Sequence, residues 1–129
     1  MGASNPIRRA DEDHAASFVA RFAEAWRDPK PEQFLAFWHP EGRLWHPTMS
    51  KPIPSSEIPA HIRAIQEAIP DVTLRVISWA ARENQLSIEW RLAGTLNGRR
   101  VEVPGVDRFT LRGDRAVEGI AYFDTSRLT

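Results

Sequence analysis

The sequence predicts an α+β domain, with three N-terminal helices packed on one face of a curved, mostly antiparallel sheet. Three observations carry that reading. Phe18, Val19, Phe22, Ala23 and Trp26 recur at helical spacing, as do Ile58, Ile62, Ile65 and Ile69. From Val72 onward the apolar period changes to two, the spacing of strands with one buried face. The length of 129 residues is that of one domain, enough to bury a core without staples.

Residues 1–12 read as a flexible N-terminal tail and residues 13–129 as a single domain. Asp11, Glu12 and Asp13 put negative charge where a helix start favours it, and Asp28-Pro29 ends the first helix. Pro31 and Glu32 suit the first turn of a short second helix carrying Phe34, Leu35, Phe37 and Trp38, stopped by His39-Pro40. Arg43 to His46 is a short strand, and Pro47 to Ser56 an irregular connector. A third helix starts near Ser55 or Ser56, with Pro59 in its first turn, and ends at Pro70. Val72, Leu74 and Val76 open the alternating half, followed by Leu86, Ile88, Trp90 and Leu92. Asn97-Gly98 signals a hairpin. Val101, Val103, Asp107, Phe109 and Leu111 share one parity, interrupted by Pro104-Gly105, a bulge or bend. Gly113-Asp114 turns the chain into a last strand, Val117 to Asp124.

Composition excludes several functions. With no cysteine there is no disulfide framework, thiolate metal site or cysteine nucleophile. Seventeen basic and seventeen acidic residues balance, and the basic ones are scattered, which argues against nucleic acid as a partner. No apolar stretch is long enough for a membrane span, and Met1 to Ala10 lack a signal-peptide core. The expectation is a cytoplasmic protein.

Ionisable residues on apolar faces are the candidates for chemistry. Asp107 has the parity of Val103 and Phe109, which turns it inward; the competing reading is a carboxylate at the Pro104-Gly105 bend. His46 has the parity of Leu44 and is the natural acid or base near neutral pH, or else a polar strand end before Pro47. Asp124 shares parity with Ile120 and Tyr122, or else caps the turn into Thr125-Ser126. His39 and His46 lack a ligand spacing for a metal. His14 and His61 read as helix-surface residues. Trp90 has a parity suited to lining a cavity, and the other tryptophans read as core.

The phrases LWHP (Leu44 to Pro47), Gly94-Thr95, GRRVEVPGVDRFTLR (Gly98 to Arg112) and VEGIAYFD (Val117 to Asp124) give the chain a family likeness. Over residues 14–124 it resembles the cone-shaped NTF2-like superfamily, and its SnoaL-like polyketide cyclases in particular. The resemblance implies a pocket for a small apolar molecule, lined by Phe22, Trp90, Leu92, Ile120 and Tyr122, with no cofactor, no metal and a homodimeric assembly. It sets His46 where ketosteroid isomerases place their catalytic aspartate base. Asp107 falls where those enzymes keep a protonated aspartate in the oxyanion hole. Asp124 resembles the strand-ending aspartate of epoxide hydrolases and SnoaL-type cyclases. Two departures matter. Phe22 stands in place of the steroid isomerases' oxyanion tyrosine, and the Arg-x-Asp pair of epoxide hydrolases is not evident around Trp90 to Leu92.

The implied chemistry is a cofactor-free isomerisation, cyclisation or elimination on a carbonyl compound. His46 would accept the proton, Asp107 would hydrogen-bond the enolate, and Asp124, near Tyr122, would orient His46 or return the proton. The rival reading is a non-catalytic ligand-binding or protein-interaction member of the same superfamily.

Overall fold

Phe18, Phe22 and Trp26, spaced four apart, fall on one face of helix α1 (Pro6–Arg27) and are buried there with Ala15 and Val19. The computed structural model describes residues 6–128, with side chains from residue 10 onward. Because α1 begins at Pro6, residues 6–12 belong to the helix rather than to a tail; proline is at home in a first helical turn, where its missing N–H is no loss. The tail as read from the sequence otherwise falls on residues 1–5, outside the described residues. No helix among those described is long and apolar enough to cross a membrane.

The second helical segment, Pro31–Phe37, is a 3-10 helix that buries Phe34 and Phe37. Trp38 already belongs to the first strand, β1 (Trp38–Trp45), which is longer than the sequence suggested. Two prolines made the connector look irregular, yet it contains strand β2 (Ile53–Pro54) paired with Arg43 and Leu44. A 3-10 turn at Ser55–Glu57 leads into helix α2 (Ile58–Ala68). Strands β3 (Thr73–Arg82), β4 (Gln85–Leu96), β5 (Arg99–Arg112) and β6 (Arg115–Phe123) complete the sheet, and a 3-10 turn, Thr125–Leu128, follows. The architecture is α+β, with strand order β2-β1-β6-β5-β4-β3. The sheet is mixed: β1 runs parallel to β6, and every other pair is antiparallel. A register shift in the β1–β6 pair between Trp38 and Arg43 takes Pro40 out of the ladder, where it could donate no hydrogen bond.

The core lies between the inner face of the sheet and the helices. Phe18 packs at 4.7 Å on Phe109 with the rings tilted and edge-on at 5.3 Å on Phe37, while Trp26 meets Phe34 edge-on at 5.1 Å. Such pairs contribute ~0.5–1.5 kcal/mol each beyond the area they bury. Asp71 fastens the loop after α2 to β4 by accepting hydrogen bonds from Thr95 N at 2.7 Å and Thr95 Oγ1 at 2.9 Å.

Two local features set what faces inward. Pro104-Gly105 makes no bulge: the β4–β5 ladder runs unbroken through Arg91↔Pro104, Trp90↔Gly105 and Ile88↔Asp107, so Asp107 keeps its inward parity. Gly105 is there for space, since a Cβ at that position would overlap the Trp90 ring. In the β5–β6 pair the register shifts between Leu111↔Ala116 and Thr110↔Glu118, leaving Val117 as an extra residue. An unbroken ladder would set Ile120 opposite Asp107 and Tyr122 opposite Gly105. The shift instead pairs Asp107 with Ala121 and Gly105 with Phe123, so Ile120 and Tyr122 take the outer face.

Replacing Gly105 by Ala is expected to destabilise the fold by about 1–3 kcal/mol through overpacking. Urea unfolding measures it; an unchanged midpoint would show that Trp90 has room to move.

Candidate functional site

Inside the cone, α1, the Pro31–Phe37 segment, α2 and the inner sheet face enclose a cavity of about 490 Å³. That is within the range of small-molecule sites, ~300–1,000 Å³. Its walls are apolar and rich in rings: Phe22, Trp26, Phe34, Trp38, Trp90 and Phe123 are among them. Among the described residues, the titratable side chains that line it are His46, His61 and Asp107. No three His, Asp or Glu residues among those described cluster as a metal site requires.

Each polar group arrives by a different element. Asp107 comes from the middle of β5, with Ile88 on one side and Ala121 on the other. What surface it retains opens on the cavity, and burial drives its pKa up to about 7, from the ordinary 3.8. The Trp90 indole N–H lies close enough to oppose that rise, but it falls short of hydrogen-bond geometry, so this buried donor has no acceptor in the protein. His46 follows the end of β1. Its Nδ1 accepts from the Thr48 backbone N–H at 3.3 Å and lies 2.9 Å from Thr48 Oγ1. Its ring packs at 5.0 Å on His61 and at 5.4 Å on Phe123, which in turn lies 6.3 Å from Trp90. A chain of ring contacts therefore runs from His61 through His46 and Phe123 to Trp90, beside Asp107.

Desolvation lowers the pKa of His46. It lowers that of His61 to about 4, helped by repulsion from His46. At neutral pH both imidazoles are therefore uncharged.

Of the residues singled out from the sequence, His46, Asp107, Phe22, Trp90 and Leu92 line the cavity. Ile120, Tyr122 and Asp124 do not. Tyr122 is 49% exposed on the outer face. Asp124 is exposed and accepts hydrogen bonds from Ser126 Oγ at 2.6 Å and Ser126 N at 3.0 Å, which hold its pKa down with help from Arg127. It caps the C-terminal turn and has no place in the pocket. The extra residue at Val117 is the physical reason that Ile120 and Tyr122 face outward, whereas Asp124 lies beyond the end of β6 and is held by Ser126.

Sequence reasoning missed His61, Thr48 and Phe123. His61 could have been found, because it lies three residues after Ile58 and four before Ile65, on the same helix face. Phe123 shares parity with Gly119 and Ala121, residues too small to mark a face as apolar. Thr48 lies in a turn without periodicity.

The arrangement is that of an NTF2-like fold, a cone whose apolar interior carries a few polar groups. Residues 19–119 match the SnoaL-like domain family, and the chain belongs to it. No curated protein matches the sequence. Among solved structures, an NTF2-like protein from Burkholderia pseudomallei K96243 is similar at 22% identity and a TM-score of 0.80, over 89% of this chain and 96% of that one. A protein of ketosteroid isomerase-like fold from Catenulispora acidiphila DSM 44928 gives 17% identity and a TM-score of 0.79, over 86% and 88%. An LEH-like epoxide hydrolase of M. tuberculosis gives 15% and 0.73, over 90% and 86%. At these identities the likeness is one of fold.

The raised pKa of Asp107 makes stability depend on pH in a definite direction. The unfolded chain releases this proton near pH 3.8, while the folded chain keeps it to about pH 7. The folded state thus binds more protons in that window, and its advantage falls as pH rises through it. The two histidines act oppositely, weakening the fold as pH drops below 6.5. The difference in unfolding free energy between wild type and Asp107→Asn isolates the carboxyl. It is expected to fall by a few kcal/mol, on the order of 1.4 per unit of pH across the window, and then level off. A difference independent of pH would mean an ordinary, solvated carboxylate.

Proposed function

We propose that this SnoaL-like protein binds a small, neutral, largely apolar molecule in its cone and performs cofactor-free acid/base chemistry there. The reaction is proton transfer at carbon next to a carbonyl group, leading to isomerisation, cyclisation or elimination, with Asp107 and His46 as the working pair. The observation that carries this reading is Asp107, a carboxyl without a charged partner in an apolar wall. A pKa near 7 suits proton transfer at neutral pH, and the desolvation behind it is hard to account for on stability alone. The absence of Arg and Lys from the described lining favours an uncharged ligand.

A thermal-shift screen of polycyclic ketones and epoxides tests binding. A ligand at a hundredfold excess over its Kd stabilises by about 2.7 kcal/mol. Solvent deuterium exchange at the α-carbon of 2-tetralone tests chemistry, and Asp107→Asn is expected to slow it by ~10²-fold or more. Stabilisation without exchange in the wild type would instead make the protein a non-catalytic ligand binder.

The homodimer implied by the family likeness would use the outer sheet face. There Val106 and Tyr122, adjacent in register, are 37% and 49% exposed, beside Glu89 and Arg108. An apolar centre flanked by opposite charges can complement a second copy of itself. Sedimentation velocity is expected to give a dimer for wild type and a monomer for Tyr122→Glu. A monomeric wild type at every concentration would refute it.

A further inference from the structure

The tautomer of His46 fixes which way the proton travels. A backbone N–H can only donate, so the Thr48 N–H at 3.3 Å from Nδ1 requires a lone pair on that nitrogen. The Thr48 hydroxyl, 2.9 Å away, can donate to the same atom. A neutral imidazole that accepts at Nδ1 carries its hydrogen on Nε2. Nδ1 is therefore occupied by the chain's own turn, and Nε2, the nitrogen left for a ligand, is a donor without a lone pair. To accept a proton, the ring would have to take it on Nδ1 and turn one N–H against another.

At the Trp90 end of the ring-contact chain the polarity is reversed. The ionised carboxyl of Asp107 offers only acceptors, and the nearby Trp90 indole, a donor without an acceptor, favours that ionised form. His61 is the remaining titratable group in the described lining, and desolvation, helped by repulsion from His46 at 5.0 Å, keeps its own ring from taking a proton near neutral pH.

We propose that Asp107 is the base and His46, held by Thr48 as the Nε2–H tautomer, is the hydrogen-bond donor to the enolate oxygen, the reverse of the roles implied by the steroid isomerases. This rests on the acid/base reading of the pocket. An Asp107 carboxylate oxygen takes the proton from the carbon next to the carbonyl. The C–H electron pair moves into the enolate, and the charge that develops on oxygen is met by His46 Nε2–H. The Asp107 carboxylic acid then returns the proton, to the same carbon in exchange or to a conjugated carbon in isomerisation. No oxidant, reductant or second reactant is needed.

Nitrogen NMR of protein labelled at the histidine ring reads the tautomer directly in the folded wild type. His46 is expected to show an unprotonated, hydrogen-bonded Nδ1 and a protonated Nε2 above neutral pH; a protonated Nδ1 overturns the inference whether or not the protein is an enzyme. With 2-tetralone as the probe, exchange is expected to rise through about pH 7 as Asp107 ionises and then stay level. A rate that falls above that pH would restore a protonated Asp107 and a histidine base. His46→Gln keeps a donor and is expected to retain exchange to within ~10-fold, whereas His46→Ala loses ~10²–10³-fold, the usual effect of removing an oxyanion donor. Equal loss in both variants would count against the donor role. A wild type that shows the Nε2–H tautomer but exchanges no substrate proton would sink the enzymatic reading and the base role of Asp107 together, leaving only the histidine's polarity.

Discussion

One inserted residue decides what the interior of this protein is made of. The β5–β6 ladder pairs Leu111 with Ala116 and Thr110 with Glu118, and the extra Val117 turns every later side chain of β6 to the opposite face. Phe123 enters the cavity as a result, and Ala121 and Gly119 leave room for the rings around them. A Cβ at Gly119 would crowd Trp38 and Phe109, so the smallness of that residue belongs to the same device. Ile120 and Tyr122, the bulkier pair, are left for the outer face. The pocket thus depends on a local irregularity of backbone pairing as much as on the composition of the strand.

The same apolar walls then set the charge state of everything polar inside. Removing water raises the pKa of a carboxyl and lowers that of an imidazole, because in both cases the charged form is the one that loses hydration. Desolvation is the larger cause of both shifts, Asp107 up to about 7 and His61 down to about 4, with repulsion from His46 adding to the second. The cavity therefore holds two neutral imidazoles, an indole donor without an acceptor and one carboxyl poised to ionise.

Much of this was legible in the sequence where periodicity is strong. The aromatic face of α1, the isoleucine stripe of α2 and the alternation in β4 and β5 located the core, and the inward parity of Asp107 followed from Val103 and Phe109. Features that depend on register or on non-local pairing were not legible. The parity of β6 was inverted because its inner face carries Gly119 and Ala121, whereas its outer face carries Ile120 and Tyr122; volume pointed the wrong way. Pro104-Gly105 reads as a bulge or bend because the pair breaks most strands, but the ladder passes through it without a bulge and the glycine makes room for the Trp90 ring on the neighbouring strand. For Asp124 the sequence leaves a cavity residue and a turn cap equally open, and in the structure its carboxylate accepts from Ser126 in the C-terminal turn. His61 reads as a surface residue by its type, although its spacing from Ile58 and Ile65 puts it on the inner face of α2.

The electrostatics of proton transfer favour the polarity that Thr48 imposes on His46. If a neutral histidine took the proton, a neutral ligand and a neutral ring would become an enolate and an imidazolium. Two charges would be created inside an apolar cavity, beside a second imidazole that already resists protonation. If Asp107 takes it, one negative charge is present before the step and one after, moved from a carboxylate to an enolate oxygen. The wall pays desolvation once, in the raised pKa of Asp107, and the same penalty that makes its carboxylate a stronger base brings it towards the weak acidity of a carbon acid. The N–H dipoles of His46 and Trp90, on either side of Phe123 in the ring chain, can then each face an anion without either having to ionise, so an uncharged donor at His46 is the form that a low-dielectric pocket can keep ready.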